Sequence, residues 1–171
     1  MEFVLDFEIG IWDFMIILGI DPGTHTTGFG LIENQKNSVR HLENGLIIGS
    51  EKNPLPLRLK KIYEIICKLI EQFKPEAIAL EDIFMSKNAR SSLKLGTARG
   101  VVMLACAQKA LPVFEYPPAL IKKAISGNGQ ASKEQMQKMV QIHLKLKEAA
   151  AEDAADALAV ALCHSQMRQW K

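Results

Sequence analysis

Cysteine is scarce in this chain and shows no pairing pattern. Cys67, Cys106 and Cys163 are odd in number and far apart, with no CxxC spacing, which argues against a disulfide framework or a thiolate zinc site and fits a reducing compartment. Long apolar runs are lacking too: no stretch approaches the roughly eighteen residues of a membrane helix, although a 48% hydrophobic share is ordinary for a globular enzyme. The first fifteen residues contain no Lys or Arg and carry Glu2, Asp6, Glu8 and Asp13, the reverse of a secretory signal's basic start. The expected location is the cytoplasm. Met15 stands directly before the first strand-like run, so residues 1–14 read as an N-terminal extension outside the fold, an upstream translation start or a disordered lead-in. Residues 15–171 then form a single domain, long enough to bury a core without staples.

What is present is unevenly placed. The formal charge is only +2, yet residues 84–147 hold eleven Lys and Arg against two acids, Glu115 and Glu134. Such a basic block suits a polyanion such as nucleic acid, and a merely solvated face is its ordinary alternative. The apolar pattern predicts strands at 16–21, 29–33 and 39–48, joined as a meander. A helix follows from Leu57, with Leu59, Ile62, Ile66, Leu69 and Phe73 on one face and Pro75 as its stop. A buried strand at 77–81, a long helix at 88–110 containing Gly96 and Gly100, and a short strand at 112–116 come next. Helices at 119–126, 133–145 and 150–166 complete the chain, with Ser132 and Gln135 spaced as a capping box. Hairpin-linked strands followed by strand-helix-strand crossovers imply an α/β fold, a mixed sheet with helices on its faces.

Four acids occupy positions where a site would form. Asp21 ends the first strand in IILGIDPGTHTTGFGL, where ligand sites of open α/β sheets tend to lie, and where a plain turn residue is equally at home. Glu81 and Asp82 end the strand AIALE; alternation allows only one of them to share a face with Asp21, and periodicity does not say which. Asp153 and Asp156 are spaced i and i+3 in AEDAADALAV and project from one side of a helix, with Glu152 off that face. Acids near a helix start are common because the macrodipole favours them. Here, however, nearly every neighbour is small or apolar, so the helix is expected to pack all round, and two acids held there raise each other's pKa unless a cation compensates. Oxygen ligands without Cys or a His set select magnesium or manganese over zinc. Paired ions of that kind assist in-line displacement at phosphorus.

The segments ILGIDPGTHTTGFG, ALEDIFMSKNARSSLKLG, ARG, PVFEY and EDAADALAVA, in order from Met15 to about His164, closely resemble the RuvC family of Holliday junction resolvases. The resemblance implies a ribonuclease H-like fold, a five-stranded mixed sheet with helices on both faces. It implies a structure-selective endonuclease that resolves four-way DNA junctions by paired incisions in recombination and repair. Asp21, Glu81, Asp153 and Asp156 would then be the catalytic, metal-binding acids, holding two Mg2+ ions, with Mn2+ as a substitute. Lys133 would stabilise transition-state charge. Phe84, Lys87, Arg90, Lys122, Lys123 and Lys133 would contact DNA, although a core phenylalanine and solvated lysines are the ordinary readings of those residue types. The family further implies a homodimer and the RuvA and RuvB branch-migration proteins as partners, with no membrane. Gly96 and Gly100 in GTARG would let helices approach closely, either at the dimer interface or against the sheet. The competing readings are another nuclease of the same fold, acting on RNA-DNA hybrids or transposon ends, an inactive junction-binding scaffold, and an actin-like ATPase that uses DPGTHTTGFG as a phosphate loop.

Overall fold

The computed structural model describes residues 14–35, 38–82 and 89–168, with the side chains of 89–91 and 168 left aside. The expectations for residues 1–13, Phe84 and Lys87 lie outside the described residues.

A β-branched, glycine-containing run builds the central strand β1, Phe14–Asp21, whose middle is fully buried. It pairs antiparallel with β2, Thr26–Gln35, which turns back as β3, Ser38–Ile48, so the predicted meander is present. Helix α1, Leu55–Phe73, buries Ile62, Ile66, Leu69 and Ile70. It ends where Lys74 adopts a left-handed conformation with φ 49°, donating its N–H to the Ile70 carbonyl just before Pro75. Strand β4, Ala77–Glu81, then pairs parallel to β1. After α2, Ala89–Gln108, strand β5, Val113–Tyr116, adds parallel to β4. The sheet order is β3-β2-β1-β4-β5. Helices α3, Pro118–Ser126, α4, Lys133–His143, and α5, Glu152–Arg168, complete the fold. The expected capping box opens α4: the Ser132 side chain accepts from the Gln135 N–H, and the Gln135 side chain accepts from the Ser132 N–H.

Alternation along the strands divides the core into two layers. Leu18, Ile20, Leu31, Ile78 and Leu80 face α1 and α2, whereas Ile17, Ile32 and Ala79 face α3, α4 and α5. Helix α5 is buried almost all round from Ala154 to Ser165, as its composition requires. It lies directly on β1 and β2 because the strands present glycines to it. A Cβ added at Gly28 would stand 1.9 Å from the Asp153 carbonyl oxygen, one at Gly19 would stand 2.0 Å from that of Ala157, and one at Gly30 would meet Leu158 at 2.6 Å. Gly28 and Gly30 of the DPGTHTTGFG stretch therefore make room for a helix, which removes their phosphate-loop reading, whereas Gly23 lies against the Thr26 carbonyl. Gly96 and Gly100 on α2, by contrast, face open space among the described residues.

Candidate active site

The packing of α5 brings distant acids together. Asp21 pairs across the β1–β2 ladder with Gly28, so both point to the same face, and the first turn of α5 rests there with Asp153. On the other side of β1, Ile20 pairs with Leu80, which makes Asp21 and Glu81 the next residues on two adjacent parallel strands. Ala79 belongs to the apolar layer beneath α5, and Glu81, two residues on, faces the same way. Register thus settles the choice that periodicity left open: Glu81 shares the face of Asp21, and Asp82 points away from it.

These residues line a cleft of about 360 Å³ formed by Asp21, Glu81 and Asp156 with Lys122, Lys133, Pro118, Ile121, Met136 and Ala159. Lys122 is on α3 and Lys133 opens α4, so two cations face three acids across an apolar floor. Asp153 lies beside the cleft and acts on Asp21 through its charge. Lys123 is exposed on α3 and does not line the cleft. Of Arg90 only the backbone, in the first turn of α2, is described.

The electrostatics reveal a deficit of positive charge. Burial pushes the Asp21 carboxyl up to about 7, helped by Asp156, Glu81 and Asp153, with Lys133 opposing. Burial likewise raises Glu81, and Asp156 adds to it, while Lys122 and Lys133 pull it down. Asp156 is raised mainly by burial; Lys133 and Lys122 oppose, and Glu152 and Asp153 add. Lys133 donates to the Glu152 carboxylate, which holds its ammonium above the ordinary value.

Like charges gathered in a half-buried pocket cost free energy unless a cation joins them. The donors are hard carboxylate oxygens, the ligand type of magnesium and manganese, and in that respect the residues fit a divalent ion. Among the described residues, no three acidic, His or Cys side chains already form a closed ligand set. Two participants escaped the sequence reading. Glu152 reaches Lys133, although it sits off the Asp153 and Asp156 face. Arg99 reaches the end of β4 from α2; the signal was its isolation, as it is the single charged residue between Lys94 and Lys109.

The chain is similar to known proteins over most of its length. The family model described as crossover junction endodeoxyribonuclease RuvC matches residues 17–164. A relative of that name from Citrifermentans bemidjiense is 48% identical over 151 residues, covering 88% of this chain and 92% of the relative. Another from Syntrophotalea carbinolica is 52% identical over 151 residues, 88% and 94% of the two chains. Among solved structures, Thermus thermophilus RuvC in complex with Holliday junction substrate superposes with a TM-score of 0.86 at 34% identity, over 91% of this chain and 96% of that one. The five-stranded mixed sheet flanked by helices is the ribonuclease H-like arrangement.

Proposed function

The chain belongs to the RuvC family of crossover junction endodeoxyribonucleases, and from that premise we infer that it resolves four-way DNA junctions at the cleft between β1, β4 and α5. It is a DNA endonuclease. The observation that carries the assignment to this cleft is the convergence of Asp21, Glu81 and Asp156, all raised above their ordinary pKa, opposite Lys122 and Lys133.

In this reading Asp21, Glu81, Asp153 and Asp156 hold two divalent ions, Mg2+ or in its place Mn2+. When bound, these ions supply the positive charge that polarises the scissile phosphate and lowers the pKa of an attacking water. The chain's own contributions are distinct. The strand ends fix Asp21 and Glu81 on a rigid sheet, while α5 fixes Asp153 and Asp156 on a packed helix, so the ligands keep their placement as DNA enters. Lys133 and Lys122 offer cationic hydrogen-bond donors to the phosphate oxygens on which charge develops, with Lys133 as the principal one. Its Glu152 partner keeps that ammonium protonated. Ile121, Met136 and Pro118 form an apolar floor that strengthens these interactions by excluding water. Phe84, Lys87, Arg90 and Lys123 belong to the proposed DNA contacts, for which the basic block of residues 84–147 is the support.

The test pairs substrate with cofactor. Incubated with a mobile four-way junction, an RNA-DNA hybrid and a linear duplex, the protein is expected to make paired nicks in the junction alone. It does so in Mg2+ and not in EDTA. Cleavage of the hybrid with the junction left whole overturns the assignment.

The same reading treats residues 15–171 as one nuclease domain, active as a homodimer in the cytoplasm alongside RuvA and RuvB. Among the described residues no helix is long and apolar enough to cross a membrane. The outward face of α2 supports the dimer: Leu93 is 74% and Leu104 54% exposed, and among the described residues a Cβ on Gly96 or Gly100 would meet nothing within 4 Å. An exposed apolar ridge with gaps of that size suits a second copy across a two-fold axis. Leu104→Glu is expected to shift the protein to monomer in sedimentation at micromolar concentration and to turn paired incisions into single nicks.

A further inference from the structure

Arg99 is directed inward from the middle of α2, with a side chain 11% exposed. Its Nη1 donates to the backbone carbonyl of Glu81 at 2.6 Å. Its Nη2 donates to the Glu115 carboxylate on β5 and stands 3.8 Å from the Asp82 carboxylate. One guanidinium therefore holds the peptide that follows a site acid, together with the neighbouring acid that is not in the site.

The position of this contact gives it significance. Pairing of β4 with β1 ends at Leu80 while pairing with β5 continues to Glu81 and Tyr116, so the Glu81 peptide is held by the sheet on one side only. Two consecutive carboxylates occupy that end of the strand. Because side chains alternate along a strand, a shift of one residue would exchange them, carrying Glu81 out of the cleft and Asp82 into it. The Asp82 N–H donates to the Tyr116 carbonyl at 2.8 Å, which anchors one edge of the segment to β5. Arg99 anchors it to α2 and keeps Asp82 on the α2 side by charge. A planar guanidinium with several fixed donors serves a carbonyl and two carboxylates at once, and an ammonium does not.

We propose that Arg99 is a positioning residue that selects Glu81 over Asp82 as the acid presented to the cleft. This rests on the reading of Glu81 as a site acid. A purely architectural tie between α2 and β5 is the alternative, and it predicts a loss of melting temperature without any change in the chemistry of the folded protein.

The experiment compares the full chain with Glu81→Gln, Arg99→Gln, Arg99→Lys and the double variant Arg99→Gln with Asp82→Asn. It measures junction cleavage at saturating DNA across a Mg2+ titration and, independently of activity, the rise in melting temperature that Mg2+ produces. Glu81→Gln is expected to abolish both responses; if it cuts normally, the reading beneath the proposal fails and the proposal with it. Arg99→Gln is expected to lower kcat and to raise the half-saturating Mg2+ concentration, each by about 10- to 100-fold, as for residues that orient metal ligands. KM for the junction, from a separate DNA titration at saturating Mg2+, stays unchanged. Adding Asp82→Asn recovers part of kcat, because the competing carboxylate is gone. Should Arg99→Gln fail to fold, Arg99→Lys carries the test, with the same direction and a smaller size. If Glu81→Gln is inactive while the folded Arg99 variant keeps the parental kcat and Mg2+ requirement, or if the Asp82 change restores nothing, Arg99 is architectural and the proposal is overturned.

Discussion

Asp21→Asn is expected to abolish junction cleavage and, in the same protein, to raise the melting temperature of the metal-free form. Losing an acid at the centre of the cleft would weaken its hold on the divalent ions, which would supply several kcal/mol of transition-state charge stabilisation, a fall in rate of about 10³-fold or more. The stability effect has the opposite sign for an electrostatic reason. The carboxyl has a pKa of about 7 in the folded state against a reference of 3.8. Between those values the folded protein keeps a proton that the unfolded chain has released, so stability falls as pH rises and levels off above pH 7. A shift of that size amounts to about 4 kcal/mol, or a melting temperature about 10 °C lower at pH 8 than without the titration. The asparagine variant has no such dependence at this position. Calorimetry at pH 5 and pH 8, with and without Mg2+, checks each part. The parental protein loses stability between the two pH values and regains it with Mg2+ at pH 8; the variant loses less, keeping only the part due to Glu81 and Asp156, and regains less with Mg2+. A variant that melts below the parent at pH 8 without metal contradicts this account of Asp21.

Gly28→Ala is expected to damage stability and cleavage together, although it adds one methyl group and its nearest contacts are backbone atoms. The new Cβ would stand 1.9 Å from the Asp153 carbonyl oxygen and 2.3 Å from its carbon. Those are backbone atoms of a packed helix, with no flexible side chain to yield, so α5 must move off the sheet. Overpacking of this kind costs about 1–3 kcal/mol, a fall of roughly 5 °C for a chain of this length. The displaced element carries Asp153 and Asp156, and a shift of about 1 Å in such groups lowers cleavage by about 10²-fold. Gly45→Ala provides the comparison: the nearest atoms to its Cβ belong to the Phe29 ring, the first at 2.9 Å, on the opposite layer. It is expected to cost stability with cleavage largely retained. Equal losses of cleavage in the two variants, at equal loss of melting temperature, refute the idea that Gly28 acts through α5.

Much of this architecture was legible in one dimension, for identifiable reasons. Strand β4 is bounded by Pro75 and by acids, and its observed limits match its apolar run. The capping box marked the start of α4 because its geometry depends only on residues three apart. The encirclement of α5 followed from its scarcity of polar side chains. Charge distribution and the order of the quoted segments were likewise properties of the chain alone. They indicated a nucleic-acid partner and pointed to Asp21, Glu81, Asp153 and Asp156.

Contacts between segments far apart in the chain were not legible in that way. Residue spacing alone assigned no face to Glu81 and Asp82, since that depends on which layer Ala79 enters. The partners of Lys133 and Arg99 were hidden too, because Glu152 and the end of β4 become their neighbours only after α5 and α2 have packed. The glycines divide along the same line: Gly28 and Gly30 lie under a helix and Gly96 and Gly100 face outward, though all four look alike as letters. Local sequence determined which elements form and what chemistry each carries, because propensity, capping and periodicity act over a few residues. Only the tertiary structure decided which carboxylates meet and at what pKa, because burial and charge coupling arise from the space between elements.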